Sequence, residues 1–106
     1  MHYLENELKD FVGEIRDIVQ GHYRDNYPML TMPEVDYDSG RKYWRIFVQS
    51  GSNRTAYGFV RKDDGAILRA ATWKQPQVKT KSAVRGYLTD DNRTDHCTEY
   101  SIRYAQ

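Results

Sequence analysis

The sequence predicts an α+β domain: an N-terminal amphipathic helix packed with an antiparallel sheet of about five strands, and a short helical segment after Trp73. Three observations carry this. Apolar residues keep helical spacing only near the start of the chain. Alternating runs divided by Gly, Asp and Ser turns fill most of the remainder. A Pro-containing, Lys/Arg-rich stretch then interrupts the strands after Trp73. The 106 residues contain no composition break long enough for a linker, so one domain is expected.

The helix is read over residues 3–20. Leu4, Leu8, Phe11, Val12, Ile15, Ile18 and Val19 form its apolar stripe, with Glu5, Glu7, Asp10, Glu14 and Asp17 between them. Acids in the first turns suit the positive end of the helix dipole, and Gly21 is placed to stop it. Residues 22–33, with Pro28 and Pro33, read as a loop. Glu34–Tyr37, the turn Asp38-Ser39-Gly40 and Lys42–Gln49 read as a hairpin. On its second arm Trp44, Ile46 and Val48 alternate with Tyr43, Arg45 and Phe47, so neither face is purely wet. The turn at residues 50–53 leads into Thr55–Val60, and Asp63-Asp64-Gly65 leads into Ile67–Thr72, completing a meander. Thr98–Tyr104 alternates as a last strand.

Charge is unevenly laid out. Residues 1–38 carry nine acids and three bases, for −6; residues 39–89 carry eleven bases and two acids, for +9; residues 90–106 carry four acids and two bases, for −2. The whole nets +1. A basic middle between acidic ends does not suit bulk duplex binding, which favours a broadly cationic face. It suits a local anion site or charge-complementary contacts between subunits. Solvated charges on exposed strand faces explain any single residue equally well. Nine Tyr and two Trp serve cores, interfaces and base stacking alike.

The single Cys97 has no intramolecular partner for a disulfide, which points to a reducing compartment. No apolar run approaches the roughly 20 residues that span a bilayer, and no signal-peptide core follows Met1, so a cytoplasmic protein without membrane contact is expected. Asn53-Arg54-Thr55 and Asn92-Arg93-Thr94 match the glycosylation pattern and are read as chance.

No catalytic constellation stands out. Asp90, Asp91, Asp95, His96 and Cys97 match no zinc spacing, and neighbours in a strand point to opposite faces, so His96 does not make Cys97 a nucleophile. Neither a P-loop nor a dinucleotide fingerprint is present, and no cofactor is expected. The segment after Trp73 holds more. Gln75-Pro76 favours extended backbone, lifting the chain off the sheet. Thr80 or Ser82 is placed to cap a helical turn over Ala83-Val84-Arg85, ended by Gly86. Its N–H groups, with Lys79, Lys81 and Arg85, would suit a phosphate, while Trp73 offers a purine a stacking face worth roughly 1–3 kcal/mol. The competing reading, a core-edge Trp73 with solvated lysines, is equally weighted by these residues alone.

The run TAYGFV-RKDDG-AILRAATWKQP…VRG resembles small bacteriophage proteins in which a paired strand, a D/G turn and a K-x-A-x-W/F-K-x-P…R-G signature follow each other. These are the phage-encoded Thoeris anti-defence sponges of the first type. The likeness covers about Tyr43 to Gly86. It implies a protein without catalysis that sequesters cyclic ADP-ribose isomers made by TIR-domain enzymes, or, as in some members, cyclic oligonucleotides, as a homodimer or higher homo-oligomer with sites between subunits. It puts the base-stacking aromatic at Trp73, with Lys74 beside it, and the arginine-glycine step at Arg85-Gly86. The polar residue next in the pattern is Tyr87 here, and the spacing from Trp73 to Arg85 is longer than in the family. An arginine on the final strand falls at Arg103, with Arg54 and Arg24 as further transfers. Two alternatives from other classes accompany this: a single-stranded nucleic-acid-binding accessory protein, ranked behind the small ligand, and a protein inhibitor of a host factor anchored by Trp44, Trp73 and tyrosines.

Overall fold

The computed structural model describes residues 4–76, 84–91, 93, 94 and 97. One helix, α1 (Glu5–Asn26), packs on a five-stranded antiparallel sheet of order β1-β2-β3-β4-β5: β1 (Glu34–Ser39), β2 (Tyr43–Ser50), β3 (Asn53–Arg61), β4 (Ala66–Arg69) and β5 (Val84–Tyr87). The α+β fold read from the sequence is the fold observed. Among the described residues no helix is long and apolar enough to cross a membrane.

The apolar stripe of α1 buries Leu8, Phe11, Val12, Ile15 and Val19 against Val35, Trp44, Ile46, Val60 and Ile67 of the sheet and Leu88 beyond it. The helix does not stop at Gly21, as the sequence suggested, but runs five residues further, to Asn26. Gly21 takes no positive φ, so it makes no left-handed cap; a glycine inside a helix costs only about 1 kcal/mol. The last turn is held instead by its aromatics, with Tyr23 and Tyr27 rings 5.6 Å apart and His22 5.8 Å from Tyr27. Asn26 donates to the His22 carbonyl at 2.9 Å. Pro28 then bars helical geometry at Tyr27.

Helix side chains also finish the exposed edge of the sheet. Arg16 donates to the Val35 carbonyl at 2.8 Å and Gln20 to the Pro33 carbonyl at 3.0 Å. The Tyr37 N–H is met by the carboxylate of Asp36 at 2.8 Å. An edge strand so occupied offers little to another chain.

Ile46 pairs with Gly58 and Phe47 with Ala56, so Tyr57 is an extra residue in β3. That bulge turns Tyr57 into the helix-facing core, where it is 1% exposed. The opposite face carries Tyr43, Arg45 and Phe47 of β2, with Phe59 paired to both Arg45 and Leu68. Phe59 and Leu68 are buried yet lie outside the helix-facing cluster, so this outer face has a small apolar layer of its own.

Two further expectations change here. The strand predicted over Ile67–Thr72 pairs only over Ala66–Arg69, with an isolated bridge from Ala70 to Pro76. Between them the chain reverses: the Gln75 carbonyl accepts from the N–H of Ala71 and Thr72, and Thr72 Oγ1 accepts from the N–H of Lys74 and Gln75. Trp73 therefore sits at a hairpin tip. The returning chain supplies the partner that β4 lacks, so Val84–Tyr87 is a strand and not the end of a helical turn. Gly86, at φ +135°, absorbs the irregular pairing of Ala66 with Tyr87 and Leu68 with Val84. Thr80, Ser82, Ala83, the flanking lysines and the strand proposed over Thr98–Tyr104 lie outside the described residues.

Candidate functional site: a cationic hollow on the outer face

The β1–β2 turn is fixed from several directions. Gly40 N–H donates to the Tyr43 carbonyl at 2.9 Å, and Lys62 N–H to the Lys42 carbonyl at 2.9 Å. The Lys62 ammonium reaches back to Ser39 Oγ and the Gly40 carbonyl, each at 2.6 Å. Arg41 and Lys42 are thus presented on a pinned turn, both side chains exposed.

Below them Arg45 is held in place. Its Nε and Nη2 donate to the two oxygens of Asp38 at 3.1 and 2.5 Å, and its Nη1 donates to the Trp73 carbonyl at 3.2 Å. The guanidinium also lies 4.0 Å from the Trp73 ring centroid. A guanidinium has five N–H donors, so among the described residues two are left without an acceptor. Arg41, Lys42, Arg45 and Lys74, together with Tyr43, Phe59 and Asp38, line a hollow of about 330 Å³. Tyr43 and Phe59 meet edge to face, centroids 6.1 Å apart. Among the described residues no carboxylate pairs with Arg41, Lys42 or Lys74, so the hollow carries uncompensated positive charge. Its one carboxylate, Asp38, is committed to Arg45.

Of the residues singled out from the sequence, three come together here. Lys74 lines the hollow, and Trp73 closes its side through Arg45. Arg54 lies on the same face, 4.8 Å over the Phe47 ring, while Phe47 itself packs 6.1 Å from Trp73. Trp73 is half-buried, and the Arg45 guanidinium already occupies one side of its ring, so it is not the bare platform the sequence suggested. Arg24 lies in the last turn of α1, which packs on the other side of the sheet. Arg85, Gly86 and Tyr87 lie in β5, separated from β2 by β3 and β4. Tyr87 N–H donates to Asp90 Oδ2 at 3.0 Å and its carbonyl accepts from Asp90 N–H at 3.0 Å, which fixes the end of that strand. Arg103 lies outside the described residues.

The model of DUF7717, a family of unknown function, matches residues 4–104. This chain belongs to that family. No curated protein and no solved structure matches it.

In this member of DUF7717 the residues missed at the sequence level are Arg41, Lys42, Tyr43, Arg45 and Phe59. The alternation of Tyr43, Arg45 and Phe47 against an apolar face was the available signal, since it marks a strand side that is both charged and aromatic. Burial pushes the Cys97 thiol up to about 11, against a smaller opposing effect of the Tyr57 hydroxyl. A thiol so shifted stays protonated at neutral pH.

Proposed function

We propose that this protein binds and sequesters an anionic cyclic nucleotide, a cyclic ADP-ribose isomer or a related cyclic oligonucleotide signal, and does not cleave it. The cationic, aromatic-walled hollow under the β1–β2 turn is the observation that carries the reading. Three cations without carboxylate partners among the described residues, beside an arginine with two N–H groups left by its described acceptors, suit phosphate oxygens, and charge-assisted hydrogen bonds of this kind are the strong ones. Tyr43 and Phe59 supply apolar surface for a sugar or base. Asp38, engaged by Arg45, is poorly placed to serve as a general base, which favours binding over hydrolysis. In this reading the protein is phage-borne, acts in the host bacterial cytoplasm against a nucleotide-signalled defence, and works as a homodimer or higher homo-oligomer.

The row of Arg45 on Trp73 and Arg54 on Phe47 favours one rival, a single-stranded nucleic acid lying across the sheet. Steep weakening with salt and affinity that grows with oligonucleotide length would select it. The sequestration reading is tested by mixing the purified protein with lysate from TIR-activated cells and then heat-denaturing it. The signal is expected to vanish on mixing and return on denaturation. Signal that never returns identifies an enzyme, and signal that never vanishes removes the proposal.

A further inference from the structure

The turn that leaves α1 lines no part of the cationic hollow, yet it holds the most exposed apolar side chains among the described residues. Tyr27 is 45% exposed, Leu30 56% and Met29 95%. The turn is held in shape from both ends. Tyr27 N–H donates to the Tyr23 carbonyl at 2.7 Å, and the Tyr27 ring lies 5.6 Å from Tyr23 and 5.8 Å from His22. Leu30 N–H closes the turn onto the Tyr27 carbonyl at 3.0 Å, with Pro28 at the position where a fixed φ favours it. Further on, Gln20 donates to the carbonyl of buried Pro33 at 3.0 Å. Met29 and Leu30 thus stand on a preorganised knob, and little ordering is left to oppose its binding.

The rim of this knob is charged. Arg24 and Asp25, neighbours in the last turn of α1, are both exposed, and among the described residues neither forms an ion pair. An apolar centre with a polar rim is the anatomy of a protein interface, where Tyr, Met and Arg are enriched. A bilayer suits the knob less, since exposed carboxylates flank it at Asp25 and Glu34 and gain nothing from anionic headgroups.

We propose that the Tyr27–Leu30 turn is the seat of a two-fold contact between two copies of this chain. Adjacent opposite charges are self-complementary: a two-fold axis through the knob sets Arg24 of one protomer beside Asp25 of its partner, and Asp25 beside Arg24. A foreign protein would have to carry that charge pair in matching order, which a second copy already does. Met29 and Leu30 of the two copies bury each other at the centre. Because α1 and the cationic hollow lie on opposite sides of the sheet, the contact covers neither hollow. This inference rests on the self-association in the reading above and not on its ligand.

Sedimentation equilibrium over a concentration series, with no ligand in any arm, tests it. Wild-type protein is expected to approach twice the 12.5 kDa chain mass. Met29→Asp is expected to weaken dimerisation roughly 100-fold, since burying one methionine is worth about tenfold and a two-fold contact loses it twice. Arg24→Asp and Asp25→Arg, each placing like charges together, are expected to weaken it about fivefold or more. An equimolar mixture of these two variants should regain wild-type affinity, because each supplies the charge that the other lacks. A mixture no tighter than its components would overturn the two-fold pairing. A dimer indifferent to Met29→Asp would overturn the turn as its seat and leave self-association standing. A wild-type monomer would overturn both, and its co-sedimentation with phosphatidylcholine vesicles would assign the knob to a bilayer instead. Melting curves of each variant, expected within a few degrees of the parent, separate lost contact from lost fold.

Discussion

The guanidinium of Arg45 lies 4.0 Å from the centroid of the Trp73 ring and donates to the carbonyl oxygen of the same residue at 3.2 Å. One side chain of β2 thus fixes both the backbone and the indole of a hairpin tip 28 positions further along the chain. Asp38 of β1 in turn fixes Arg45. Through these two contacts the β1–β2 turn and the turn at residues 71–75, distant in sequence, wall the same hollow.

Removing Trp73 measures that coupling. Trp73→Ala is expected to cost about 1–2 kcal/mol of stability, the sum of a partly exposed cation–π contact and part of an aromatic's burial. The full core value of roughly 3–5 kcal/mol is not expected, because Trp44, 2% exposed, is the tryptophan that fills the core. Urea denaturation of the single variant measures it. A loss above about 3 kcal/mol would make Trp73 a core residue.

Gly65 is predicted to be the least replaceable turn residue. It adopts φ +76°, and a Cβ there would stand 3.3 Å from Leu4 Cδ1 and 3.4 Å from Leu88 Cβ. Left-handed backbone costs an alanine roughly 1–2 kcal/mol, and the contact with the core adds to it. Gly51→Ala is the matched comparison, since Gly51 has φ +62° with nothing within 4 Å of the added carbon. Gly65→Ala is expected to lower the urea midpoint more than Gly51→Ala does; equal losses would show that packing adds nothing at Gly65.

Alkaline pH should destabilise the protein through Cys97. Its folded thiol stands at about 11 against an ordinary value of 9.0, because burial disfavours the thiolate. The stability this reflects is fully present below pH 9 and is lost as pH rises from 9 to 11, by about 2–3 kcal/mol in all. Tyr37, raised by burial and by its hydrogen bond to Glu5, adds a slope of the same sign, so the comparison is with Cys97→Ala. That variant should show a shallower alkaline decline. Iodoacetamide labelling of the folded wild type should reach half its limiting rate near pH 11; a midpoint near 9 would contradict the burial argument.

Much of the fold was legible because its signals are local. The apolar stripe of α1, the Asp38-Ser39-Gly40 turn and Asp63-Asp64-Gly65 each specify an element from neighbouring residues. Gly21 misled, since its helix is continued by contacts of Tyr23 and Asn26 that a spacing pattern does not contain. The segment before Gly86 misled more, because its helix-compatible residues are recruited as a strand by the free edge of β4. At the site, Trp73 and Lys74 were visible as an aromatic beside a charge. Arg41, Lys42 and Arg45 were visible only as residues of a hairpin. Their shared hollow depends on the cross-strand pair with Asp38 and on the return of the Trp73 turn, both long-range facts.

The assembly is expected to contain at least two copies. The charge layout sets an acidic helix against a basic middle, and the turn after α1 leaves Tyr27, Met29 and Leu30 exposed, Met29 at 95%. Light scattering at micromolar concentration should return at least twice the 12.5 kDa chain mass. A monomer mass would confine the proposed site to one chain.

Nucleotide sequestration itself is tested most directly by titrating purified cyclic ADP-ribose isomers into wild-type protein and into the Arg41→Ala, Lys42→Ala variant by calorimetry. Stoichiometric binding is predicted for the wild type. The variant should lose about 3–6 kcal/mol of it, two charge-assisted hydrogen bonds at roughly 1.5–3 kcal/mol each, with its melting temperature unchanged. Wild-type protein that takes up none of the isomers, or a variant that binds them as tightly as the parent, would contradict the account.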